Sequence, residues 1–337
     1  MSNSTISSNN VVAADIFNKI LFKTKPPRNF EDLLPLVCSS RIMFGHLQWL
    51  MSSTKSVHLE GDCRDTVFIY LGDFNFEYDV AKLGTSLIRP AIMYGERISG
   101  KITPWVKEML AERRDPVCIG VMDMSNEDLA DVLIYPCVKT LKFESYNPGL
   151  NELIQTQSHV TEVILNLHEL KFDLPAVEKI SLNVLSMYIE HEDIMERLNP
   201  KTRKFVLRIS NELNSYNLGL RKFIQFFTLD LEELVFDTLF ENYYDPKKSA
   251  WLIDGAAASF FDDVEEIKKT TKVKNLRIRL RYQWLFRDTR DLTTALVDTL
   301  STSLASKRFR LTTFVEERMC IFEATVGDGI RCTMTFC

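Results

Sequence analysis

Glycine and proline are scarce in this chain, 12 and 11 of 337 residues, which argues against flexible linkers, collagen-like repeats and long disordered stretches. Charge of one sign is also lacking: the net value of -5 is small for this length, so no global field points to nucleic acid or to an anionic membrane. The seven cysteines (Cys38, Cys63, Cys118, Cys137, Cys320, Cys332 and Cys337) are odd in number and never spaced C-x-x-C. That spacing speaks against a disulfide framework and against a zinc site, and the residues read as reduced, mostly buried thiols. Histidine is scarcer still, at five residues, and His168-Glu169 and His191-Glu192 lack the second ligand four positions on that a metalloprotease helix requires. There is no Gly-x-Ser-x-Gly elbow, no phosphate loop and no Gly-x-Gly-x-x-Gly, so the expectation is a non-catalytic protein without cofactor or metal. No run of about eighteen apolar residues occurs, which removes a helical membrane span. Met1 to Asn10 is rich in Ser and Asn, without a basic start or a long apolar core, and reads as a short disordered tail rather than a secretory signal. A cytoplasmic or nuclear location follows as the expectation.

What is present is a phrase with the two-residue period of a strand, returned to after each helix-like stretch. It occurs as Val138-x-x-Leu141-x-Phe143, Val160-x-x-Val163-x-Leu165, Val177-x-x-Ile180-x-Leu182, Phe205-x-Leu207-x-Ile209, Leu231-x-x-Leu234-x-Phe236 and Val273-x-x-Leu276-x-Ile278-x-Leu280. Strand–helix units repeated in this way predict an α/β solenoid, here an irregular leucine-rich-repeat-like arc over residues 55–337. The periods run from about 17 to about 42 residues, so insertions are expected on the helical side, the longest being Asn242 to Thr271 as one long helix or a helix pair. Val67–Leu71 and Val117–Met122 read as strands. Thr103-Pro104 opens a helix with proline at its first position, and Ser125-Asn126-Glu127-Asp128 reads as a capping box. Met319 to Cys337 alternates twice around Gly327-Asp328-Gly329, a hairpin expected to cap the open face of the last unit.

Residues 11–54 read differently, as a small three-helix module. Ile16, Phe17, Ile20 and Leu21 have the spacing of one helical face, Asp32 is an expected N-cap with Pro35 in the first turn, and Arg41–Met51 offers a third helix. The run Asp32-Leu33-Leu34-Pro35-Leu36-Val37-Cys38-Ser39-Ser40, preceded by Ile16-Phe17-Asn18-Lys19-Ile20-Leu21-Phe22 and followed by an apolar helix and Ser56-Val57-His58-Leu59, resembles the F-box motif. The repeat region is similar to the irregular leucine-rich regions of fast-diversifying animal F-box families. That resemblance implies a substrate-recognition subunit of a Skp/cullin/F-box ubiquitin ligase, joined to a Skp adaptor and through it to a cullin. Ile16, Ile20, Leu21, Leu33, Leu34, Leu36, Val37 and Phe44 are then the candidate adaptor-binding residues. The same side chains in the core of an amino-terminal cap are the lesser alternative. A repeat scaffold that sequesters its partner without ubiquitin transfer is the alternative.

In a strand of this period the residues between the apolar ones project to the other face. The candidate substrate-binding residues are therefore Lys142, Glu144, Asn166, His168, Asn183, Arg208, Asp237, Arg277, Arg279 and Arg281. Three arginines two apart repel one another unless an acid intervenes, and each fork takes a carboxylate bidentately, so a protein target with an acidic surface is expected. The bland alternative is a solvated strand face balanced by nearby Asp and Glu. Nucleic-acid binding through Lys268–Arg290 is disfavoured, because its aromatic content is limited to Tyr282, Trp284 and Phe286.

Overall fold

The computed structural model of the chain describes residues 30–60, 66–71, 74–122, 125–144, 149–167, 172–184, 191–211, 220–287, 292–315 and 318–337. Alternating strands and helices form two units, one of Met1–Glu144 with Thr156–Thr161 and one of Ser145–Gln155 with Glu162–Cys337.

Unit 1 is built on six strands: β1 (Ser56–Leu59), β2 (Thr66–Leu71), β3 (Phe74–Asp79), β4 (Arg97–Gly100), β5 (Val117–Val121) and β6 (Val138–Phe143). Their order is β6-β5-β4-β1-β2-β3, parallel from β6 to β1 and antiparallel from β1 to β3. The parallel ladder aligns Leu141, Ile119, Ile98 and Val57 in one row, each wholly buried. Helices α1 (Arg41–Ser52), α2 (Arg89–Tyr94), α3 (Pro104–Glu112) and α4 (Asn126–Leu133) bury Leu47 and Met51, Ala91 and Ile92, Val106 and Leu110, and Leu129, Val132 and Leu133. Ser125 caps α4 as its sequence suggests, accepting from the Asp128 amide at 3.1 Å. Gly100 ends β4 at φ +88, where an added Cβ would meet the Leu59 carbonyl at 2.0 Å.

Unit 2 carries β7 (Glu162–Leu167), β8 (Lys179–Val184), β9 (Lys204–Asn211), β10 (Glu233–Tyr243), β11 (Asn275–Leu285), β12 (Arg310–Val315), β13 (Met319–Val326) and β14 (Ile330–Phe336). Their order is β7-β8-β9-β10-β11-β14-β13-β12, parallel through β14 and antiparallel in the last two pairs. Its helices longer than one turn are α5 (Leu150–Gln155), α6 (His191–Arg197), α7 (Pro246–Thr270) and α8 (Thr294–Ser306). The predicted phrases from Val160 onward fall on β7 to β11, and their residues Leu165, Leu182, Leu207, Phe236 and Ile278 form a core row that Ile330 of β14 continues. Aromatic packing closes this side: Phe236 lies 4.9 Å from Phe223 and 5.8 Å from Phe227, and Phe240 stacks on Tyr282 at 5.1 Å.

The mostly parallel α/β arrangement agrees with the sequence reading, and three details differ. The 242–271 segment is one 25-residue helix, and it starts later than expected because β10 runs on to Tyr243. At the carboxy terminus β13 and β14 form a hairpin around Gly327–Gly329; β14 pairs in parallel with β11, and β12 follows β13, so the backbone donors and acceptors at the β11 edge find partners. Asp32 does not cap a helix; it lies inside a 3-10 turn, Phe30–Leu33, that leads into one helical turn, Leu34–Val37. β2 is the strand read at Val67–Leu71, whereas its hairpin partner β3 and the strand β4 are not foreseen from their sequence patterns. The amino-terminal tail, the whole of the first predicted helix with Ile16, Ile20 and Leu21, and His168 lie outside the described residues.

Candidate functional site

On the face of unit 2 opposite its core, successive parallel strands each contribute one side chain to a single row. Asn166, Asn183, Arg208, Asp237, Arg279 and Arg331 are Cα partners from β7 through β8, β9, β10 and β11 to β14. The row exists because each phrase of the sequence enters the ladder at the same level, so the residue after each core position takes the same height on the other side. Five of these six residues are sequence-predicted. Arg331 is not, although the alternation Ile330-Arg331-Cys332-Thr333-Met334 marks it as outward-facing; its neighbour in space, β11, is separated from it in the chain by β12 and β13.

The polar end of the row is satisfied internally. Asn183 Nδ2 donates to Asn166 Oδ1 at 2.7 Å, and Arg208 Nη1 reaches Asn183 Oδ1 at 3.4 Å. The basic end is not. Arg281, one step along β11, holds Asp237 with contacts of 2.9 Å from Nη2 and 3.1 Å from Nε. Arg277 stands 4.0 Å from Glu233, and Arg331 3.6 Å from Glu323. Arg279 is exposed and has no ion pair among the described residues, while its ladder partner on β14 is another arginine. Arg208 is also exposed and has no acidic partner among the described residues. Arg208, Asp237, Arg277, Arg279 and Arg331, with the turn Gly327–Gly329, border a cavity of about 610 Å³. Glycine is required in that turn: Gly327 has φ +64, and a Cβ on Gly329 would lie 2.5 Å from the Leu276 carbonyl.

Other outward positions are less available than the strand pattern implies. Ser181 is 2% exposed, with its Oγ donating to Glu162 Oε1 at 3.0 Å, and Val206 is buried. The aromatic side chains that base stacking would need, Tyr282 and Trp284, are buried on the core face. Lys142 and Glu144 belong to unit 1. There Lys142 is half-buried, and burial first, then the nearby Arg97, push its amine below the usual lysine range; Arg97 also lies 3.8 Å from Glu144.

Among the amino-terminal candidates, Leu33 is 2% exposed and is part of the unit 1 core, beside Phe30, whose ring packs edge-on against Tyr78 at 5.0 Å. Leu34 is half-buried and Phe44 exposed; the side chains of Leu36 and Val37 lie outside the described set. The helix α1 carries an exposed stripe that sequence reasoning missed. Ile42 and Trp49, 46% and 61% exposed, share the face opposite Leu47 and Met51, and Trp49 stacks on His46 at 5.3 Å. An i, i+7 reading of Arg41–Met51 would have found it.

Among the described residues there is no cluster of His, Cys, Asp and Glu suited to a metal ion. No helix among them is long and apolar enough to cross a membrane. Comparison of the chain with protein-family models, with curated proteins and with solved structures returns no match.

Proposed function

We propose that this chain is the substrate-recognition subunit of a Skp/cullin/F-box ubiquitin ligase, acting in the cytoplasm or nucleus, with unit 2 as its leucine-rich-repeat-like receptor region. The observation that carries the proposal is the row of one side chain per strand with charge left unmet at Arg208 and Arg279, a surface suited to reading a protein rather than transforming a small molecule. The α1 stripe supports the adaptor half. Ile42 and Trp49 expose apolar area that a helix-binding partner would bury at roughly 25 cal/mol per Å². On this reading the mechanism is proximity: the receptor keeps the target's lysines near the ubiquitin-charged enzyme and raises their effective concentration.

The test is affinity purification of the full chain with quantification of the Skp adaptor and cullin. Both should be recovered with the unaltered chain. The double change Ile42→Asp and Trp49→Asp should lower adaptor recovery by about tenfold or more, with the thermal midpoint preserved because both side chains are exposed. Failure to recover the adaptor with the unaltered chain would leave the plain sequestering scaffold as the better description; full recovery with the double variant would remove the α1 stripe from the adaptor interface.

A further inference from the structure

Arg208 and Arg279 stand at the same level of the ladder on strands two apart, with β10 between them. Neighbouring strands lie about 4.8 Å apart, so the two arginine Cα atoms are separated by about 9.6 Å across the sheet. Asp237, the residue between them, is already engaged by Arg281 through two contacts, which removes the charge that would repel an acidic ligand passing over it. Beyond Arg279 the cavity continues over Arg331 to the Gly327–Gly329 turn. A segment lying across the strands would thus meet a guanidinium with no acidic partner among the described residues, a neutralised carboxylate, a second such guanidinium and then an arginine shared with Glu323.

We propose that this cavity binds an acidic peptide segment in an extended, polyproline-like conformation, crossing the strands with two carboxylates three residues apart, one on Arg208 and one on Arg279. The proposal rests on the receptor reading above for the ligand's being part of a protein target, and it adds the chemistry and the spacing. A polyproline helix advances about 3.1 Å per residue with three residues per turn, so side chains at i and i+3 share a face about 9.3 Å apart, close to the arginine spacing. Carboxylate suits the site better than a dianion. Asp237 and Asp328 both line the cavity, and each guanidinium fork matches one carboxylate bidentately. A polynucleotide suits it less well, because no aromatic side chain lines the cavity and Tyr282 and Trp284 are in the core.

Fluorescence anisotropy on the purified full chain tests this with four labelled probes. They are an octapeptide centred on Glu-Pro-Ala-Glu, an isomer with the two Glu adjacent, the Gln-substituted version and a single-stranded oligothymidylate. The spaced peptide should bind, the adjacent isomer about threefold more weakly, and the Gln version about tenfold more weakly or not at all. Arg279→Ala and Arg208→Ala should each lower affinity for the spaced peptide by about tenfold. Both side chains are exposed, so a matching thermal midpoint separates lost binding from lost folding. Unchanged affinity in both variants would overturn the assignment, equal binding of the two isomers would overturn the spacing, and preference for the oligonucleotide would overturn the peptide chemistry. Adaptor recovery with the Arg279→Ala chain separates the two proposals. Recovery without peptide binding by the unaltered chain removes only the cavity assignment; peptide binding without adaptor recovery removes only the ligase role.

Discussion

Arg113 is buried and makes no ion pair among the described residues. Its guanidinium donates to the Ile92 carbonyl, to Gly95 and Pro116 carbonyls at 2.8 Å each and, through Nε, to the Asp115 carbonyl at 2.9 Å. Burial is the main influence on its ionisation, lowering it from the usual arginine range. These bonds satisfy the end of α2 and the approach to β5 together, so Arg113→Ala leaves several carbonyl oxygens without a donor. The expected cost is about 2–4 kcal/mol in urea unfolding, and Arg113→Lys should recover only part of it because three donors cannot reproduce the planar fork. Arg279 is the opposite case. It faces Arg331 directly in the β11–β14 ladder, and like charges opposite one another destabilise a strand pair. Arg279→Glu is therefore expected to raise the thermal midpoint slightly, by roughly 1 °C, while it removes anion binding. A midpoint that falls by several degrees would show that Arg279 supports the fold.

At the scale of elements, the turn between β13 and β14 decides how the cavity closes. The Gly329 carbonyl accepts from the Ile278 amide at 2.8 Å, and its Cα comes too near the Leu276 carbonyl for a side chain. Gly329→Ala should cost about 1–3 kcal/mol by forcing β14 away from β11, and peptide affinity should fall with it, since Arg331 rides on the same strand. The long helix α7 is held by its inner face, where Phe260 is 2% exposed and packs edge-on with Phe261 at 5.1 Å. Phe260→Ala should destabilise unit 2 by about 3–5 kcal/mol, read as a lower denaturation midpoint. Trp251 on the same helix is 70% exposed, and its replacement by Ala should leave that midpoint unchanged.

Across the whole molecule, several thiols and a tyrosine hydroxyl are buried in their neutral form. Burial pushes the Cys320 thiol from 9.0 up to about 12 and the Tyr78 hydroxyl from 10.0 up to about 12, and it raises Cys332 and Cys137 as well. In the unfolded chain these groups give up their protons near pH 9 to 10, while the folded chain keeps them. The unfolded state then binds fewer protons, and stability falls as pH rises. Full stability is expected below pH 9, with a progressive loss from there toward pH 12, followed by urea midpoints at pH 7, 9 and 10. A midpoint flat over that range would mean that these thiols are solvated.

The apolar period of each phrase was enough to name strands and to say which of their side chains face away from the core, because alternation is a local property of extended backbone. Asn166, Asn183, Arg208, Asp237 and Arg279 are legible on those grounds. The row they form is not, since it depends on each strand entering the ladder at one common height, and that is settled by how helices of unequal length pack beneath. Arg331 and the glycine turn join the site only because β14 takes the place beside β11 that sequence order would have given to β12. Likewise, Arg113 reads in the sequence as one more charged residue after a helix. Only the folding of four carbonyl oxygens around it makes its guanidinium a structural centre. Local periodicity lies in consecutive residues; partnership across the sheet lies in contacts between residues far apart along the chain, and there the packed structure alone decided.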